Sequence, residues 1–209
     1  VKYGWAPMGP DASLDVKLVE AARQALGPDI QLMVDAGRAW DADTAFARAC
    51  AFAPFDLTWL EEPLKPYDVA GFVQLCAKSP LPIATGEVLA LAEEFEPLID
   101  LAQIQVVQPD LGRIGGLTQA HQLAKRCRNS GKTRPVPHAY GTGILLSATA
   151  QWAATLDDPL TESPQAPSPL AQELAIHDMR FDEGSLHLSD KPGLGVSLNS
   201  EIVNRYRVP

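Results

Sequence analysis

Asp35, Glu61 and Glu87 stand 26 residues apart (35 to 61, 61 to 87), and each closes a short apolar run. Leu32-Met33-Val34 ends in Asp35, Phe55 to Leu60 ends in Glu61-Glu62-Pro63, and Pro82-Ile83-Ala84-Thr85-Gly86 ends in Glu87. Neighbouring side chains on a strand point to opposite faces, so Glu61 and Glu62 cannot both enter one site. One is offered to the interior or mouth of a sheet, the other to the surrounding layer. A single acidic strand end is usually solvated. Three at equal spacing read as ligands converging on one hard cation. Three carboxylates suit Mg²⁺, with water or substrate oxygens completing an octahedron. No Cys or His joins them, which argues against zinc.

Four further polar residues close apolar runs: Lys2, Asp110, His138 and Glu162. An Asp–His pair fixes the imidazole tautomer and raises its basicity, which is how a general base is made; Asp110 and His138 are that candidate pair. His121, His177 and His187 fall in a helix or in the tail and carry no such expectation. The stretch Asp110-Leu-Gly-Arg113-Ile-Gly115-Gly116 follows a strand and opens a helix, but it lacks a Walker lysine and GxGxxG spacing, which excludes a nucleotide cradle. Its glycines bring a helix close to the sheet, and Arg113 is expected to stiffen the carboxylate network. Glu93, Glu94 and Glu96 form a solvated acidic first turn.

The elements that must position these residues alternate. Strands are predicted at Val1 to Trp5, Ile30 to Val34, Leu57 to Leu60, Leu81 to Thr85, Ile104 to Val107, Arg134 to Pro137 and Leu160-Thr161. Helices are predicted from Asp11 or Ser13 to Leu26 and over Asp41 to Ala53, Asp68 to Lys78, Leu91 to Leu101, Gly115 to Ser130 and Gly143 to Thr155. Short strands that are apolar throughout, recurring about every 25 residues between helices, are the pattern of βαβ units around a buried parallel sheet. All seven polar strand ends then lie on the C-terminal face, where a closed β/α barrel builds its active site. Loops fall at Ala6 to Pro10 and Ser163 to Pro169. After Glu162 the rhythm breaks into a hairpin around Glu183-Gly184, a turn at Pro192 to Gly195 and a terminal helix, Ser200 to Tyr206. The barrel is therefore expected over residues 1–163, with a tail at 164–209 that must pack on something else.

At 209 residues the chain is long enough for one barrel, and 46% hydrophobic with 21% charged residues marks an ordinary globular protein. A net charge of −9 argues against a nucleic-acid or anionic-membrane partner, since no basic patch could neutralise phosphates. No apolar run approaches the ~18 residues of a membrane helix. Cys50, Cys76 and Cys127 are odd in number and read as buried free thiols of a reducing, cytoplasmic compartment. The chain opens on Val1 without an initiator methionine, as a piece of a longer protein would.

The runs VDAG, WLEEP, TGE, QPDLGRIGG and PHAYGTG, with the closing ES and PGLGV, resemble the enolase superfamily, mandelate racemase/muconate lactonizing enzyme-like subgroup, over essentially the whole chain. The resemblance implies a modified (β/α)₇β TIM barrel, here incomplete at its N-terminal end, whose first strand and N-terminal capping domain are missing. It implies Mg²⁺ ligands at Asp35, Glu61 and Glu87, an Asp–His dyad at Asp110 and His138, and a substrate-carboxylate partner at Glu162. Lys2 falls on the family's Lys-x-Lys motif and can be aligned with either lysine. Read as the first, its partner is Gly4, and the second base of a two-base racemase is gone.

The expected chemistry is Mg²⁺-dependent abstraction of the proton α to a carboxylate through an enediolate, leading to dehydration of a sugar acid. Racemisation or epimerisation, or cycloisomerisation, of a 2-hydroxy acid is the alternative. An inactive fragment acting only by self-association is the alternative of another class. The partners expected are a small carboxylate substrate and, at full length, further copies of the same chain.

Overall fold

A computed structural model describes residues 1–5, 8–163 and 169–208. Six parallel strands follow one another in one sheet: β1 (Lys2–Gly4), β2 (Leu32–Asp35), β3 (Leu57–Glu61), β4 (Ile83–Thr85), β5 (Val106–Val107) and β6 (Arg134–Pro135). Helices α1 (Ala12–Leu26), α2 (Ala42–Phe52), α3 (Val69–Cys76), α4 (Glu96–Asp100) and α5 (Leu117–Ser130) connect them, and α6 (Gly143–Ala153) follows β6. This is an α/β fold, an incomplete barrel. Helix starts are written locally: Asp11, Asp41 and Asp68 each accept backbone N–H groups of the first turn of α1, α2 and α3.

The strands alternate in what they bury. Leu32, Val34, Leu60, Ile83 and Val107 face the helices and join the large outer core with Phe52, Phe72 and Phe95. Met33, Trp59, Ala84, Val106 and Val136 form a separate inner cluster. Two residues further along the same faces stand Asp35 (after Met33), Glu61 (after Trp59) and His138 (after Val136). An apolar layer thus plugs the barrel and a charged layer sits on top of it, as side chains fill barrels of this kind. Register completes the alignment, pairing Gly4 with Asp35 and Asp35 with Glu61.

Several expectations give way. Leu160-Thr161 is in no strand, and among the described residues the sheet has six strands where seven were expected. Pro135, Pro137 and Pro159 remove donors along that edge, so the ladder cannot continue there. The helix expected at Leu91 to Leu101 is split, because Pro97 divides a 3₁₀ turn (Ala92–Phe95) from α4. Cys127 is buried, but Cys76 is partly exposed and Cys50 exposed, because α2 turns Cys50 outward. The loops expected at Ala6 to Pro10 and Ser163 to Pro169 lie partly outside the described residues.

Beyond α7 (Pro169–Glu173), β7 (Ala175–His177) pairs antiparallel with β10 (Val196–Leu198). The hairpin β8 (Arg180–Asp182) and β9 (Ser185–His187) turns at Glu183 and Gly184, both at positive φ as a tight hairpin turn requires. Asn199 caps α8 (Ser200–Tyr206). The tail leans on α6: a Cβ on Gly143 would lie 3.0 Å from Ala175 Cβ, and Ser147 Oγ donates to Leu194 O. No helix among the described residues is long and apolar enough to cross a membrane.

Candidate active site

The charged layer opens into a cavity of about 670 Å³ lined by Lys2, Asp35, Glu87, His138 and Glu162, with Trp5, Arg38, Arg113 and Tyr140 among its other walls. Asp35 ends β2, Glu61 ends β3, and Glu87 follows β4 by two residues. Each offers one carboxylate oxygen, and these lie within 4.8 Å of one another. Donor type and spacing fit a hard divalent cation with room left for further oxygens.

Electrostatics point the same way. Asp35 is pushed up to about 7, first by burial and then by the charge of Glu61, against the Gly37 N–H and Lys2. Burial beside other carboxylates makes the Asp35 anion costly, and a cation relieves it. Lys2 serves that purpose here. Its Nζ lies 2.6 Å from Glu61 Oε1, 2.8 Å from Glu162 Oε1 and 4.0 Å from Asp35 Oδ2. Burial disfavours the ammonium, but Glu61 and Glu162 outweigh it and hold Lys2 above its ordinary range. Lys2 belongs to the inner layer, paired with Met33, and its chain reaches up into the charged layer.

The dyad is formed. His138 Nδ1 lies 2.8 Å from Asp110 Oδ2, while Gly112 N–H donates to Asp110 Oδ1 at 2.7 Å. With Nδ1–H directed at Asp110, Nε2 is left to face the cavity, 3.4 Å from Glu87 Oε2 and 3.6 Å from Glu162 Oε2. Burial lowers the pKa of His138, but the Asp110 hydrogen bond and the charges of Glu162 and Glu87 outweigh it and raise the balance. Burial likewise opposes the Glu162 anion, yet Lys2, Ala139 N–H (3.0 Å) and His138 keep it ionised.

Glu61 and Glu62 part as strand geometry demands. Glu61 turns inward and also accepts from Trp59 Nε1 at 3.0 Å. Glu62, at φ 45°, turns to Thr85 Oγ1 and Gly86 N–H, with Arg38 Nε at 3.5 Å. Burial raises Glu62. Arg113 departs from expectation: it lines the cavity and touches no carboxylate among the described residues. Trp59 and Arg38 are the residues that sequence reasoning missed. Trp59 was legible by parity, two residues before Glu61 on one strand; Arg38 acts across a turn, and only Arg38-to-Glu62 proximity reveals it.

Gly4 has a backbone reason. It sits at φ 144°, and a Cβ there would lie 2.0 Å from Asp35 O, a main-chain atom that cannot swing away. No side chain fits at the one β1 position level with the charged layer.

A family model described as enolase C-terminal domain-like matches residues 1–202. The L-talarate/galactarate dehydratase of Salmonella typhimurium is 33% identical over 192 residues, which is 92% of this chain and 46% of that protein. The crystal structure of 3,6-anhydro-D-galactonate cycloisomerase from Zobellia galactanivorans superposes with a TM-score of 0.91 at 32% identity, over 98% of this chain and 57% of the other. That of L-talarate dehydratase from Polaromonas sp. JS666, complexed with Mg and L-glucarate, gives 0.86 at 31% identity, over 98% and 54%. The chain spans about half the length of the curated relatives it matches.

Proposed function

The chain belongs to the enolase C-terminal domain-like family, and from that premise we propose that it removes the proton α to a sugar-acid carboxylate and expels a β-hydroxyl as water. The observation that carries this is one cavity holding an oriented imidazole and, beside it, three convergent carboxylates. Asp35, Glu61 and Glu87 would hold Mg²⁺. When bound, the ion would supply a compact positive charge that favours the more highly charged enediolate form of the substrate over its carboxylate form.

The protein's residues do the rest. Lys2 and Glu162 pair at 2.8 Å on the cavity wall, beside which a substrate carboxylate would lie. His138 Nε2 takes the α-proton, and Asp110 holds the ring and balances the imidazolium that results. The C–H pair becomes the enediolate. As the electrons return to form the C2–C3 double bond, the C3–O bond breaks. His138 then gives its proton to the departing hydroxyl, water leaves, and the enol becomes a 2-keto-3-deoxy acid.

Gly4 favours this one-base route. Returning a proton to the opposite face of C2 needs a second acid, and the β1 position level with the site carries no side chain. Ring opening or closure is the second reading, favoured by likeness to the Zobellia galactanivorans cycloisomerase.

The test is a panel of sugar acids with Mg²⁺ and the full-length protein, followed by mass and keto-acid assay. Dehydration predicts a keto acid lighter by one water, lost in His138→Asn. An isomer of unchanged mass supports cycloisomerisation, and substrate epimerised at C2 refutes the one-base route.

A further inference from the structure

Three permanently cationic side chains line the cavity, Lys2, Arg38 and Arg113. Two are already matched: Lys2 lies against Glu61 and Glu162, and Arg38 against Glu62. Arg113 is exposed, and among the described residues its side chain makes no ion pair, hydrogen bond or ring contact. In a chain of net charge −9, beside a cavity walled by Asp35, Glu87 and Glu162, an unmatched guanidinium is the exception.

The backbone fixes where Arg113 stands. Asp110 O accepts the N–H groups of both Arg113 (3.0 Å) and Ile114 (2.9 Å), while Asp110 Oδ1 accepts Gly112 N–H. Ile114 is buried in the outer core, and Gly115 and Gly116 take positive φ to start α5. Arg113 is therefore held on a turn built around the residue that orients His138, with its side chain on the cavity wall and its charge unspent.

Resting on the reading of this cavity as a sugar-acid site, we propose that Arg113 binds a second carboxylate at the far end of the substrate, which makes acyclic sugar diacids the preferred substrate class. One carboxylate of a diacid is met by the cation site. The other, without a partner, would be repelled by the same acidic walls. A planar guanidinium binds a carboxylate through two parallel N–H bonds and stays charged at every relevant pH. A monoacid ending in a hydroxymethyl group offers Arg113 only one neutral acceptor, without charge or a second parallel bond.

Galactarate and D-galactonate differ only at the far carbon and are suitable probes. Binding is read by calorimetry on full-length, Mg²⁺-loaded protein in the His138→Asn background, where turnover does not intervene. With Arg113 present, galactarate binds more tightly than galactonate. Arg113→Met weakens galactarate by about tenfold or more, the worth of a charge-assisted pair, and leaves galactonate within about twofold. Arg113→Lys restores part of the loss. Equal losses for both acids, or no loss for either, overturns the proposal, as does galactonate binding as tightly as galactarate before mutation. Failure of the reaction reading is separate: a diacid bound through Arg113 that the His138-containing protein leaves unchanged refutes the chemistry while this binding role stands. Turnover of galactonate as readily as galactarate does the reverse.

Discussion

Lys2→Met should destabilise the metal-free protein strongly and tighten its hold on Mg²⁺. The ammonium lies 2.6 Å from Glu61, 2.8 Å from Glu162 and 4.0 Å from Asp35, with its side chain 24% exposed. At an effective dielectric constant of about 20 the gross attraction is roughly 6 kcal/mol at the shortest contact and roughly 4 kcal/mol at the longest. Much of that offsets the desolvation of the ammonium. Removing one partner of a buried ion pair costs about 3–5 kcal/mol net, because the other charge is left uncompensated. At about 2–4 °C per kcal/mol for a chain of this size, the metal-free Tm falls by roughly 6–20 °C. Mg²⁺ supplies the missing charge, so the deficit shrinks in its presence. By linkage each 1.4 kcal/mol recovered appears as about tenfold tighter binding of the ion. Thermal melts with and without Mg²⁺, joined to calorimetry, measure both quantities. An equal loss of Tm in saturating Mg²⁺, or weaker Mg²⁺ binding in Lys2→Met, refutes the reasoning.

Glu61→Gln removes one of three convergent ligands and should weaken Mg²⁺ by about tenfold or more, since the ion demands near-ideal geometry; unchanged affinity by calorimetry refutes the assignment. His138 should titrate above its ordinary 6.5 in the metal-free protein, and ring NMR signals will show it. A raised folded value means that its contribution to stability is complete below 6.5 and is lost as pH rises through the folded value. Mg²⁺ beside Glu87 opposes the imidazolium and should move the midpoint down; a midpoint indifferent to Mg²⁺ contradicts the geometry. Asp15→Ala is the control away from the cavity. Asp15 is fully buried, accepts from Arg48 Nε at 2.7 Å and from Gly9 N–H at 3.1 Å, so its loss should cost about 3–5 kcal/mol in urea unfolding. Mg²⁺ affinity should stay as it was.

The carboxylates were legible because strand ends in a parallel β/α fold recur at near-regular intervals and project to one face. Asp35, Glu61 and Glu87 share an interval of 26 residues; Asp110 and His138 follow at similar ones, 23 and 28 residues. The opposed fates of Glu61 and Glu62 were expected from strand alternation, and the left-handed turn at Glu62, just past the end of β3, completes them. What the sequence withheld depends on distance across turns. Nothing in the order of residues says that Arg38 reaches Glu62, or that Arg113 stands clear of every acid. Gly4 looked like a missing lysine; the structure adds that the backbone of Asp35 leaves no room for any side chain there. Leu160-Thr161 shows the opposite failure. Apolar residues before an acid resemble the other strands, yet prolines on the adjoining edge leave no ladder to join.

The central claim is that His138 takes the α-proton in a site completed by Mg²⁺. A sugar acid lacking the 3-hydroxyl isolates that step, because deprotonation can proceed and elimination cannot. The measurement is deuterium wash-in at C2 from D₂O, followed by proton NMR on the full-length protein. The account predicts exchange with Mg²⁺, and its loss both on chelation and in His138→Asn. Exchange that persists in His138→Asn, or that ignores the removal of Mg²⁺, contradicts it.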